Sequence, residues 1–212
     1  MAVADVFAAE WRRLAESLNL SEEVATTVLS TLQAGYNEPG RHYHTQRHIV
    51  SMLEAAQPIG FQMPKAAHLA TFFHDLVYEP VRSDNETRSA ARMTEALTGY
   101  VDAKCLEKAS EIILATAHHR ATGDQDTDLV LDLDMAILGQ PWPVYETYAR
   151  NVMAEYAPFF SREAWCQGRN ALFIEPTLAR EAIFLTETFR PLETQTRENL
   201  RREQAWLTTG GL

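Results

Sequence analysis

Apolar residues recur along this chain at helical intervals. Phe7, Trp11, Leu14 and Leu18 step by 4, 3 and 4 and trace one face of an amphipathic helix. Val24, Val28 and Leu32 repeat the pattern after Ser21, an N-cap residue followed by Glu22 and Glu23, where first-turn N–H groups favour negative charge. Pro39-Gly40 breaks the run. A third helix is expected from His44 or Thr45 to Ala55. A fourth is expected from Pro64 through Leu69, Phe72, Phe73, Leu76 and Val77, closed by Pro80. Ser83-Asp84-Asn85-Glu86 reads as a capping box opening a helix to about Leu97. Further helices are expected over 102–118, 141–156, 161–174, 177–189 and 192–208. Leu129 to Leu138 is a short apolar run that fits a strand or a buried helix, and its helical neighbours favour the helix. The closing TTGGL is expected to fray. The pattern predicts an all-α protein, one domain over residues 1–212, built from roughly nine to eleven helices packed on one another.

Composition narrows the function classes. The 212 residues are 46% hydrophobic and 23% charged, which excludes collagen-like and disordered classes. The net charge is −10, with no basic run of five, so a nucleic-acid polymer is a poor partner. An anionic small molecule would need a local positive site such as a metal. Cys105 and Cys166 are too few to staple a domain of this size and fit a reducing cytoplasm. Asp5 and Glu10 sit where a signal peptide wants a basic start and an apolar run, and no apolar run reaches ~18 residues, so a cytoplasmic protein without membrane contact is expected.

Six of the seven histidines are clustered: His42, His44 and His48, then His74 beside Asp75, then His118-His119, with His68 alone. His74-Asp75 lies among Phe72, Phe73, Leu76 and Val77, where a buried carboxylate wants a partner or a cation. The plainer alternative is an Asp–His hydrogen bond. Asp132 and Asp134 lie in the most apolar stretch, LVLDLDMAILG; two apart on a helix, they face different ways, so one suits a site and the other a cap or a backbone amide. His44 and His48 are four apart and share a helical face, unless Thr45 caps the helix and leaves His44 in the loop before it. HExxH, GxGxxG, P-loop, CxxC and GxSxG motifs are all missing.

The ordered set His48, His74-Asp75 and then an Asp about 60 residues later resembles the HD-domain superfamily of metal-dependent phosphohydrolases. It is similar to an uncharacterised bacterial subgroup through HYHTQRHI, FFHDLVYEP, NETRSA, ILATAHH, LDLDMAILG and RENL, which span residues 41–200. The resemblance implies an HD-type helical domain, with a metal-site core at approximately 41–140 and C-terminal helices 141–208 packed on it. It maps His48, His74, Asp75 and Asp134 onto the metal ligands, Asp134 rather than Asp132 because a short apolar helix follows it. His48 is favoured over His44 because it opens an apolar helical run. Two imidazoles and two carboxylates suit one divalent ion, Mn, Fe, Co, Ni, Zn or Mg. A lone His pair between HD and the last Asp argues against the di-iron oxygenase branch. The implied activity is hydrolysis of a phosphoester of a small molecule, a nucleotide being one option, by a metal-activated water. Glu86 and His118 are the expected catalytic acid/base groups, with Glu79 behind Glu86. Arg47, Arg88 and His119 are the expected substrate contacts, with Arg41, which also flanks the first His cluster, as a further candidate. The family carries an Arg near VMAEY where this chain has Met153, and Arg150 is its candidate replacement. The alternative is a non-catalytic metal- or nucleotide-binding regulatory protein of the same fold. A homodimer is left open.

Overall fold

The computed structural model describes residues 2–209. Among them the chain forms α1 (Val3–Ser17), α2 (Glu22–Tyr36), α3 (Gln46–Ala56), α4 (Lys65–Phe73), α5 (Asn85–Leu97), α6 (Ala103–Thr116), α7 (Gln125–Met135), α8 (Trp142–Tyr156), α9 (Arg162–Arg169), α10 (Glu175–Leu178) and α11 (Glu193–Thr209), and no β-strand. A 3-10 turn, Ala136–Gly139, extends α7, and a π-helical turn, Asn170–Ile174, joins α9 to α10. The all-α architecture expected from periodicity is what the chain adopts. Ser21, Thr45, Asp102 and Asp124 each cap a helix through side-chain oxygen. Residues 129–138 are helical. Of the TTGGL tail, Thr208 and Thr209 continue α11, and 210–212 lie outside the described residues. No described helix is long and apolar enough to cross a membrane.

The centre is α4, whose Leu69, Ala70, Phe72 and Phe73 are fully buried. Phe72 meets the rings of Phe7 and Trp11 edge-on at 5.2 and 5.5 Å, an arrangement that adds to simple area burial. The same buried cluster continues to Phe184, Leu200 and Leu207. Gly35 lets α2 approach the turn after α4: a Cβ there would meet Leu76 Cδ1 at 2.6 Å. The C-terminal helix is fixed by Asn199, whose amide donates to the carbonyls of Leu138 and Gln140, both at 2.8 Å.

Three local expectations fail, the first and third for a tertiary reason. The helix expected to run to Val77 stops at Phe73, with His74 as its C-cap. Arg41 takes the carbonyls of Asp75 and Leu76 at 2.6 and 2.8 Å, and Ser89 Oγ accepts from Val77 N, so these groups are not available to a helix. The capping box at 83–86 does not form: Asp84 is the N-cap residue, but its carboxylate pairs with Arg82. The helix over 177–189 is replaced by irregular backbone after Leu178. There Glu193 accepts from Ile183 N and Phe184 N, Asp132 from Leu185 N and Thr186 N, and Arg197 binds the carbonyls of Leu178, Arg180 and Glu181. Side chains from distant segments satisfy what a helix would have satisfied locally.

His68, the unclustered histidine, stacks on Phe72 with its Nε2 buried and unpartnered. Burial, with Arg13 nearby, pulls its pKa from 6.5 to about 4. A depressed histidine opposes protonation in the folded state, so stability is lost as pH falls from 6.5 towards 4. At pH 5 the loss is about 2 kcal/mol relative to neutral pH. His68→Leu is expected to remove this part of the acid sensitivity. Urea unfolding at pH 7.5 and pH 5 reads it, and an unchanged pH dependence in the variant would rule the assignment out.

Candidate metal centre

Four side chains from three segments converge under the loop before α3. His48 is on the first turn of α3, His74 caps α4, Asp75 follows it, and Asp134 is near the end of α7. His48 Nε2 lies 3.1 Å from His74 Nε2 and 3.0 Å from Asp134 Oδ1. Asp75 Oδ2 lies 3.1 Å from His74 Nε2 and 3.7 Å from His48 Nε2. His74 Nε2 and Asp134 Oδ1 are 3.7 Å apart. Each ligand atom of His48, His74 and Asp134 is within 4.8 Å of the others. Asp75 stands at the side of this trio, close to both imidazoles. Because α4 ends at Phe73, His74 and Asp75 do not diverge as neighbours on a helix would, and both reach the same point.

The spacing fits a divalent ion. Ligand atoms ~2.1 Å from one ion lie ~3.0 Å apart at a right angle and ~3.4 Å apart at the tetrahedral angle. The separations among His48, His74 and Asp134, 3.0 to 3.7 Å, bracket both, and Asp75 reaches the two imidazoles at 3.1 and 3.7 Å. His74 Nδ1 lies 3.0 Å from the Thr71 carbonyl, so Nδ1–H donates there and Nε2 faces the cluster. Burial alone would push both Asp75 and Asp134 up, but His74 beside them dominates and holds both well below the usual carboxylate range. Burial pulls His74 down, yet Asp75 and Asp134 outweigh it and raise it well above its ordinary value. Two carboxylates held ionised at the edge of the core, each 15% exposed, thus favour positive charge beside them, and a proton on His74 supplies part of it when no ion does.

Two further devices hold the donors. Glu155, wholly buried on α8, accepts through Oε1 from the backbone N–H groups of His42, Tyr43 and His44 at 2.8, 2.8 and 3.0 Å. Its Oε2 receives His44 Nδ1 at 2.7 Å and the Tyr78 hydroxyl at 3.0 Å. Burial raises its pKa, but His44 prevails and takes it to about 2. Arg41, 3% exposed, joins the His44, Asp75 and Leu76 carbonyls. Together they dock the loop that starts α3 onto the turn after α4. On the far side, His119 Nε2 lies 2.8 Å from Asp134 Oδ2. His119 has a left-handed backbone, φ 46°, uncommon outside glycine. Arg180 donates to its carbonyl at 2.9 Å and to that of His118 at 3.1 Å, which pins that conformation.

Of the residues singled out in the sequence, His48, His74, Asp75 and Asp134 meet. His44 is instead held in the loop before the Thr45 cap, and Asp132 binds the amides of Leu185 and Thr186 at 2.8 Å. His119, expected to contact substrate, is Asp134's partner. His118, expected to act as acid or base, is exposed with its carbonyl on Arg180. Glu86, expected in the same role, is half-buried on the first turn of α5 and, among the described residues, forms no hydrogen bond or ion pair with the cluster. Its charge is felt at Tyr156. Arg88 pairs with Glu79 at 2.9 Å and lines a separate cleft beside α2. Arg150 pairs with Glu146 and covers Trp206. Arg47 alone of the named arginines lines the cleft into which His48 and Asp134 open, about 690 Å³ between α3 and the α7–α8 junction.

Glu155 and Arg180 escaped sequence reasoning, and Arg41, a candidate phosphate contact by its place beside the first His cluster, is instead spent on the carbonyls of His44, Asp75 and Leu76. Glu155 did carry a signal: it continues the buried face Tyr145, Tyr148, Ala149 and Val152 of α8 at helical spacing, where an acid is out of place unless partnered. No protein-family model matches the chain, and no curated protein matches it.

Proposed function

We propose that His48, His74, Asp75 and Asp134 hold one divalent metal ion and that the protein is an HD-type phosphohydrolase of a small phosphorylated molecule. The observation that carries the reading is the meeting of the His48 and His74 Nε2 atoms and an Asp134 carboxylate oxygen at ion-sized separations, with Asp75 beside both imidazoles. A divalent ion bound there supplies Lewis acidity at a phosphoryl oxygen and a more acidic water. The chain's own part is positional. Thr71 and His119 orient His74 and Asp134, Glu155 and Arg41 fix the loop that presents His48, and the cleft receives the organic part of the substrate. Water adds to phosphorus, the ester P–O bond breaks, and the released alcohol takes up the proton, giving alcohol and phosphate.

Metal content by elemental analysis tests the reading directly. Protein purified without tag or chelator is expected to bind about one equivalent of a transition metal or Mg. His74→Ala, Asp75→Ala and Asp134→Ala are each expected to lose most of it, and phosphate release from phosphomonoesters is expected to be lost with it. Full metal retention in all three variants would overturn the ligand set. Metal binding without any turnover would favour the regulatory reading instead.

A further inference from the structure

The cleft beside the cluster carries information about the substrate, through the charges that surround it. The other guanidinium groups singled out above are engaged elsewhere. Arg41 is committed to Glu38 and three carbonyls. Arg169 is buried against Glu203 at 3.0 Å. Arg150 is paired with Glu146, and Arg88 with Glu79. Arg47 is the one Lys or Arg among the residues lining the cleft; it is 63% exposed and 3.8 Å from Glu54, also in the lining. A divalent ion on Asp75 and Asp134 would leave the cluster neutral, and Arg47 and Glu54 cancel. The cleft therefore offers no surplus positive field, inside a chain of net charge −10.

Beyond Arg47, Glu54 and the cluster's own His48 and Asp134, the lining holds the His42 imidazole and otherwise uncharged side chains. Ile137, Val144 and Tyr148 give an apolar and aromatic wall, and Asn151 gives an uncharged amide. Val144 is 48% exposed in this otherwise open cleft, a large apolar side chain left uncovered. The volume suits a drug- or nucleotide-sized ligand.

Resting on the phosphohydrolase reading, we propose that the site selects a phosphomonoester with a neutral, partly apolar organic group and discriminates against polyphosphates, with Arg47 as the single phosphate-directed cation of the cleft. One phosphoryl group is answered by the ion site and Arg47. Each further phosphate brings charge that meets Glu54 and the protein's net negative field without a cation of its own, and desolvating it is costly. The reaction that supplies such a substrate would be a single phosphorylation of an alcohol, or cleavage of a larger phosphate ester to its monoester.

Calorimetric titration of Mn-loaded protein decides the matter, using the 5′-mono-, di- and triphosphates of one nucleoside and phenyl phosphate, with metal content measured again afterwards. At least one monophosphate is expected to bind ~10-fold or more tightly than the triphosphate, and Arg47→Ala to weaken that monophosphate ~10-fold while keeping its metal. A triphosphate that binds as tightly as the monophosphate would overturn the proposal. So would an Arg47→Ala variant of unchanged affinity, or a metal-loaded protein that binds none of the four; each leaves the metal centre standing. Failure to take up Mn at all would instead remove the phosphohydrolase reading, and this proposal with it.

Discussion

Glu155→Ala is expected to cost several kcal/mol of folding stability, about 3–5 kcal/mol, without touching a proposed ligand. The variant strands the N–H groups of His42, Tyr43 and His44, the His44 ring and the Tyr78 hydroxyl, which all converge on one buried carboxylate. The pH behaviour follows the same group. The folded-state pKa of Glu155, about 2, lies below its ordinary 4.5, so its contribution is complete above 4.5 and is lost as pH falls towards 2. Burial pulls the His44 pKa down, but Asp75 and Glu155 outweigh it and raise it, so its contribution is complete below 6.5 and is lost as pH rises through the raised value. The pair is therefore strongest between those limits. Glu155→Gln keeps an acceptor for the three amides but offers a donor to the His44 ring and the Tyr78 hydroxyl, and is expected to lose less than alanine. Urea unfolding of both variants at pH 7 is the check. A loss below ~1 kcal/mol for alanine would show that the loop stands without this carboxylate. Metal affinity should fall too, because the same loop starts α3 and so sets the position of His48.

The second large effect belongs to Arg169 and Glu203. Their side chains are 8% and 0% exposed and joined at 3.0 Å. Tyr145 donates to the same carboxylate, Arg169 donates to the Tyr148 hydroxyl at 3.1 Å, and its guanidinium lies over the Phe173 ring at 3.9 Å. Glu203→Ala leaves this cation buried without a counter-charge. The expected loss is about 3–5 kcal/mol, or ~10 °C in Tm for a protein of this size. Replacing both groups by leucine is expected to cost less than the sum of the single changes, because the uncompensated charge disappears. Thermal unfolding of the two singles and the double makes the cycle. Additive losses would mean that the pair is not coupled, and the buried network would then be a packing feature only. The network backs Tyr148, which lines the cleft, so the double variant should also alter ligand affinity there.

Periodicity and capping chemistry determined the helical architecture by themselves. Ser21 and Thr45 cap as their residue types require, and the run around Asp132 and Asp134 is helical because apolar residues surround it on every side. The set His48, His74-Asp75, Asp134 was legible only through its resemblance to the HD superfamily; local chemistry by itself left Asp132 beside Asp134 and His44 beside His48 as alternatives. What the sequence could not determine is where local hydrogen bonding yields to distant partners. Nothing near Leu76 announces that Arg41, some 35 residues earlier, takes its carbonyl and ends α4 at the point that turns His74 and Asp75 to one side. Nothing near residue 183 announces that Glu193 and Asp132 replace a helix there. Asp132 and Asp134 have the same chemistry two positions apart; only the packing of the C-terminal segment against α7 sends one to backbone amides and the other to the imidazoles. Glu86 and His118 had suitable chemistry, and among the described residues neither forms a hydrogen bond or ion pair with the cluster. Helical periodicity is a property of neighbours in the chain and can be read from it. Convergence of side chains from separate helices depends on how those helices cross, which buried contacts such as Glu155, Arg41 and Arg180 fix only once the chain is folded.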